Sequence, residues 1–89
     1  MRIRRSHQLG VDEAKSRVMH LAGQLERKFS LTSEWRGDDL MFHGTGVHGR
    51  ILVADSSIEI VVRLGLGLMM MKNPIRAEIE QILDDELAQ

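Results

Sequence analysis

Residues 39–64 read DLMFHGTGVHGRILVADSSIEIVVRL, and apolar side chains alternate with polar ones through most of this run. Leu40 and Phe42 alternate with Asp39, Met41 and His43; Val47, Gly49, Ile51 and Val53 follow, then Ile58, Ile60, Val62 and Leu64. A period of two marks strands with one buried face, because successive side chains of a strand point to opposite sides. Loop parity supports the same reading. With Thr45 and Gly46 at the tip of a first turn, Phe42 falls opposite Gly49 and Leu40 opposite Ile51. With Ala54 to Ser57 making a second turn, Val53 faces Ile58 and Ile51 faces Ile60. Both hairpins then place their apolar members on one side, which a slip of one residue would destroy.

Working upstream, Leu31 to Arg36 predicts a further strand that turns through Arg36-Gly37-Asp38-Asp39. Pairing Arg36 with Asp39 sets Trp35 opposite Leu40 and Ser33 opposite Phe42, so the single tryptophan joins the same inner face. A four-strand antiparallel meander from Leu31 to Leu64 follows. Its inner face contains Leu31, Trp35, Leu40, Phe42, Val47, Ile51, Val53, Ile58, Ile60, Val62 and Leu64, with gaps at Gly44 and Gly49 that would admit a helix backbone or bend the sheet. Its outer face is mixed, with Glu34, Met41, His43, His48, Arg50, Leu52, Glu59, Val61 and Arg63. A homodimer through that face would centre on Met41, Leu52 and Val61.

The flanks predict two helices and an edge strand. Met1 to His7 alternates weakly around Ile3, and its arginines suit a solvated sheet edge better than a phosphate-binding patch. From Gly10 to Ser30, the residues Val11, Ala14, Val18, Leu21, Ala22, Leu25 and Phe29 form one apolar stripe at helical spacing. Asp12 and Glu13 in the first turn and Arg27 and Lys28 in the last match the helix dipole. Gly23 lies near the stripe, where a close helix–sheet contact would account for it. His20 lies off the stripe and reads as a surface residue. Asn73-Pro74 opens a last helix, whose stripe is Ile75, Ile79, Ile82, Leu83 and Leu87. Its outward face is acidic, with Glu78, Asp84, Asp85 and Glu86, and Arg76 stands one turn before Glu80. Between meander and helix, Leu64 to Met71 reads LGLGLMMM, a strand continuation that curls over the end of the core. The fold class is α+β in the order β-α-β-β-β-β-α: a curved antiparallel sheet with both helices on its inner face, similar to a reduced helix-grip fold.

Composition excludes several functions. A chain of 89 residues is one domain, residues 1–89, with a single core. The formal net charge is −1, which gives no global attraction to nucleic acid or an anionic membrane. There is no cysteine, so disulfides, thiolate metal sites and cysteine nucleophiles are absent. Arg2, Arg4 and Arg5 precede polar Ser6, His7 and Gln8 and not an apolar run, so no secretory signal is expected. The most apolar stretch, Ile58 to Met71, carries Glu59 and Arg63 and is too short to span a bilayer. A cytoplasmic protein is the expectation.

Four constellations carry possible chemistry. His43 and His48 face one another across the first hairpin, with β-carbons about 5 Å apart. They form a weak metal candidate, with His7 as a third ligand and Glu34 reaching diagonally to His43; an exposed cross-strand pair is the commoner outcome. Ser6, Ser16, Ser30, Ser33, Ser56 and Ser57 have no recognisable histidine–carboxylate partner, so no catalytic residue is expected. Arg50 and Glu59 would form an ordinary diagonal surface pair. The leucine–methionine stretch has two readings: alternate members cap the core, or Leu66, Leu68, Met69, Met70 and Met71 form an apolar contact surface, a use to which methionine is well suited.

The chain as a whole resembles the small polyhydroxyalkanoic acid system proteins. The resemblance rests on Ile3-Arg4-Arg5-Ser6-His7-Gln8-Leu9-Gly10 and the amphipathic helix after it, then Trp35-Arg36-Gly37-Asp38, Leu40-Met41-Phe42 and Gly46-Val47-His48-Gly49. The leucine–glycine run before a final isoleucine-rich, acidic helix completes it, so that it spans nearly all of the chain. The family is associated with storage of polyhydroxyalkanoate granules in bacteria and brings no catalytic residue and no cofactor. The resemblance implies a non-enzymatic accessory protein whose partner is the granule surface or a granule-associated protein. The competing expectation is a carrier of an acyl chain, held between sheet and last helix in a pocket of several hundred Å³ lined by Phe42, Ile51, Leu64 and Ile79.

Overall fold

The computed structural model describes residues 1–88. The elements run β1 (Arg2–Ser6), α1 (Gly10–Phe29), β2 (Thr32–Arg36), β3 (Asp39–Gly44), β4 (Val47–Val53), β5 (Ser57–Leu64), α2 (Leu66–Met69) and α3 (Lys72–Leu87). The five strands form one antiparallel sheet in the order β1-β5-β4-β3-β2, an α+β fold as expected. Strands β2 to β5 are the predicted meander. Its register matches residue for residue: Trp35 pairs with Leu40, Phe42 with Gly49, Ile51 with Leu40 and Ile60, and Val53 with Ile58. The N-terminal strand, whose place periodicity left open, pairs with β5 through Ile3 and Ile60, so the two ends of the sheet in sequence are not its two edges in space.

Turn chemistry explains why the register holds. Gly37 (φ +63°) and Gly46 (φ +76°) sit in the left-handed region in the two short loops, which L-residues adopt at a cost and glycine does not. Helix α1 ends at Phe29. Ser30 caps it in a left-handed conformation (φ 54°, ψ 49°), and its N–H donates to the Glu26 carbonyl.

Both helices lie on the inner face. The α1 stripe supplies Ala14, Val18, Leu21, Ala22 and Leu25 to the core, and α3 supplies Ile79, Ile82 and Leu83. They meet Ile3, Leu40, Phe42, Ile51, Ile58, Ile60 and Val62 from the sheet. Arg5 lies on the inner side of β1 and is no solvated edge residue. Its Nε donates to Asp84 at 2.8 Å and its terminal nitrogen to Glu80 at 2.9 Å, joining the edge strand to α3.

Four local expectations fail for identifiable reasons. Gly44 and Gly49 leave no room for a helix. A β-carbon at Gly44 would meet Leu31 Cδ2 at 2.7 Å, and one at Gly49 would meet the Phe42 ring at 2.4 Å and the Val61 carbonyl oxygen at 2.5 Å, so the neighbouring side chains already fill both gaps. Gly23 makes no close approach to the sheet; the nearest atom to a β-carbon there is Arg27 of its own helix, at 3.6 Å. Glu86 faces inward and not to solvent: it is 4 % exposed, with Oε1 accepting from Gln24 Nε2 at 3.1 Å and its backbone carbonyl accepting from Arg17 at 2.6 Å. Finally, the alternation at Leu64-Gly65-Leu66-Gly67-Leu68 is not a strand. The ladder stops at Leu64 and the chain makes the single turn α2, so α3 begins at Lys72 and Pro74 occupies its first turn without Asn73 acting as a side-chain cap.

Candidate functional site

The leucine–methionine stretch leaves the sheet at Gly65, whose N–H donates to the Gly46 carbonyl at 2.8 Å. That bond ties it to the tip of the β3–β4 hairpin. The chain then closes two tight turns, with Leu68 N–H donating to Gly65 at 3.0 Å and Met71 N–H to Leu68 at 2.9 Å. These turns divide the apolar residues unequally. Leu68 points inward and packs against the core, with Cδ1 3.4 Å from where a Gly46 β-carbon would lie. Leu66 is 90 % exposed and Met70 95 %, while Met69 and Met71 are each about half exposed, at 52 % and 51 %. Period-two logic assigns Leu66 and Leu68 to one face; the helical turn separates them, which is why only the structure resolves core from lip.

Below Met71 the lip continues into a shallow groove of about 360 Å³ between the end of α1 and the start of α3. Phe29, Pro74 and Ile75 line it, and an ion pair between Lys28 and Glu78 borders it. The exposed apolar surface therefore runs from α2 to the helix pair.

Among the described residues the lining expected for an acyl chain does not enclose a space of several hundred Å³. Phe42, Ile51 and Ile79 are buried and Leu64 half-buried, but the space left among the core residues around Phe42, Leu64 and Ile79 is about 20 Å³. A single water needs roughly 10–15 Å³. The core is filled.

His43 and His48 pair across β3 and β4 as expected, with ring centroids 6.5 Å apart and planes inclined by 27°. Neither expected helper engages them. His7 sits at the other end of the sheet, where Nδ1 accepts from the Leu9 N–H at 3.1 Å and Nε2 lies 3.1 Å from the Ala54 carbonyl. Accepting at Nδ1 places the proton on Nε2, so both ring nitrogens are committed. Glu34 pairs with Arg36 at 3.2 Å and not with His43, and Glu59 pairs with Arg2 at 3.1 Å and not with Arg50. Among the described residues no group of three histidine or carboxylate side chains is placed to hold a metal ion.

The outer face around these histidines holds an arrangement that motif reading passed over. His48 pairs with Arg63 as well as with His43, and Arg50 pairs with both Met41 and Val61. Met41, Leu52 and Val61, the expected dimer centre, are half-buried among these longer side chains. A concavity of about 470 Å³ opens there. The register of the meander contained the signal: both arginines fall on the histidine side by parity.

The charge network on the other face is self-contained. Hydrogen bonds from Arg5, then Arg76, hold the Glu80 carboxyl below the usual carboxylate range; Asp84 and then Glu80 raise the Arg5 guanidinium above its ordinary value. The model of the family described as "Putative polyhydroxyalkanoic acid system protein" matches residues 1–87. The chain belongs to that family. Its name ties the chain to polyhydroxyalkanoate storage. No curated protein and no solved structure matches. No helix is long and apolar enough to cross a membrane among the described residues.

Proposed function

We propose that the chain is a non-enzymatic accessory protein of polyhydroxyalkanoate storage that acts through apolar contact with the granule surface in the cytoplasm. The observation that carries this reading is the lip: Leu66 and Met70 are almost fully exposed, on a turn held to the sheet by the Gly65–Gly46 bond. Large apolar side chains clustered in the open mark interaction surfaces, and methionine adapts to irregular apolar partners. A polyester surface has no fixed shape, so an adaptable contact suits it better than a shaped pocket. The filled core supports the same reading over the carrier, since about 20 Å³ cannot admit an acyl chain.

Burying the exposed parts of Leu66, Met69, Met70 and Met71 amounts to roughly three side chains, an upper bound of about 4–9 kcal/mol before association entropy. The test is co-sedimentation of purified protein with isolated granules. Wild type is expected in the granule fraction, and Leu66→Ser/Met70→Ser in the supernatant with an unchanged melting temperature. Binding to protein-stripped granules distinguishes polymer contact from contact with a granule protein; binding only to unstripped granules moves the partner from polymer to protein. Wild-type protein that stays in the supernatant with both preparations removes the reading.

A further inference from the structure

The outer face of the sheet presents cations that the fold does not use. Arg50 and Arg63 stand diagonally on β4 and β5, where backbone positions are about 7–8 Å apart, close enough for both guanidinium groups to reach one ligand group. No carboxylate lies within ion-pairing distance of either among the described residues. His43 and His48 stack beside Arg63 and contribute donors to the same rim. The acidic member of the rim, Glu34, is held by Arg36.

The floor has the opposite character. Met41 and Val61 supply apolar side chains on either side of Arg50. Around them the outer face opens into a concavity of about 470 Å³. That is within the range of small-ligand sites, about 300–1,000 Å³.

Unpaired guanidinium groups beside an apolar floor select an anion with an apolar body. We infer that this concavity binds an amphipathic monocarboxylate, its carboxylate between Arg50 and Arg63 and its alkyl chain on Met41 and Val61. Guanidinium and carboxylate match in a fork geometry that a bare cation lacks. Two other occupants fit worse. The acidic helix of a second copy is already engaged: Arg5 holds Glu80 and Asp84, Lys28 holds Glu78, Gln81 bonds Asp85, and Glu86 is buried. A polyanion wants a continuous cationic track, and Asp39, Glu34 and Glu59 interrupt this face. The inference does not depend on the lip, which lies outside this concavity.

The experiment is a titration of the folded protein with octanoate, methyl octanoate and inorganic phosphate, followed by amide NMR shifts. Octanoate is expected to move Gly49, Arg50, Val61 and Arg63 saturably, with a Kd in the millimolar range, the order expected for about ten heavy atoms on an open site. Arg50→Gln or Arg63→Gln should weaken it by about threefold or more and the double variant by about tenfold or more, because exposed charge pairs contribute modestly. Methyl octanoate and phosphate should bind at least about tenfold more weakly, each lacking one half of what the site recognises. Equal binding of methyl octanoate, equal binding of phosphate, octanoate shifts centred on Leu66 and Met70, or no shift at about ten times the expected Kd would each overturn the assignment. Loss of granule sedimentation in the lip variant with octanoate shifts intact separates this site from the lip.

Discussion

Gly49 is the position where the smallest substitution should cost most. Gly49→Ala adds one carbon. That carbon would lie 2.4 Å from Phe42 Cζ, 2.7 Å from Phe42 Cε2 and 2.5 Å from the Val61 carbonyl oxygen. Neither neighbour has freedom to withdraw. The spaces beside Phe42 in the core measure about 20 and 10 Å³, too little for a ring to retreat into, and the Val61 carbonyl belongs to the backbone of a strand paired on both sides. Overpacking of this kind costs about 1–3 kcal/mol. Against it stands the gain of about 0.5–1 kcal/mol from replacing glycine in a strand. With backbone as well as ring in collision, a net loss of roughly 2 kcal/mol is expected, about 8–16 °C in Tm for a domain of this size.

The companion variant isolates the cause. Phe42→Leu removes Cζ and one clash, so Phe42→Leu/Gly49→Ala should be more stable than the sum of the single losses by about 1 kcal/mol. Rescue stays partial, because the carbonyl contact at 2.5 Å remains. Urea unfolding followed by circular dichroism measures all four corners of the cycle. A Gly49→Ala protein as stable as wild type, or strict additivity in the cycle, would refute the packing argument.

Other perturbations have equally definite outcomes. Leu66→Ser/Met70→Ser should change unfolding free energy by less than about 0.5 kcal/mol, since side chains this exposed make few packing contacts to lose, and thermal melts check this alongside granule sedimentation. Gln24→Leu should destabilise by about 1–3 kcal/mol in urea titration, because Glu86 Oε2 already lacks a hydrogen-bond partner and the substitution orphans Oε1 as well. The Glu80 carboxyl is depressed by Arg5 first and Arg76 second, so its stabilising contribution is present above the ordinary carboxylate value of 4.5 and is lost as pH falls through the lower folded value. Arg5→Gln should therefore flatten the acid limb of stability below about pH 4.5 and raise the pH of acid unfolding; identical acid-unfolding curves for the two proteins would contradict this sign.

Much of this architecture is a consequence of side-chain parity. Strand side chains repeat with period two and short loops add a fixed number of residues, so placing Phe42 opposite Gly49 also places Trp35, Ile51, Ile60 and Val53. The same arithmetic put His43 beside His48, and the helical stripes of α1 and α3 needed one common apolar partner. Sequence alone therefore determined the meander, its register and the face that carries the helices.

What it left to the tertiary structure are features whose meaning depends on residues far along the chain. Arg5 and Glu86 read as surface charges because neither has a local partner; α3 meets one and α1 the other only after folding. The cationic concavity needs β3, β4 and β5 side by side before Arg50 and Arg63 share a rim. Leu-Gly-Leu-Gly-Leu supports an extended and a helical reading equally, since alternate residues share a face in one and diverge in the other. The Gly65–Gly46 hydrogen bond, between residues 19 positions apart in sequence, comes with the helical turn, which sends Leu68 into the core and leaves Leu66 and Met70 in the open.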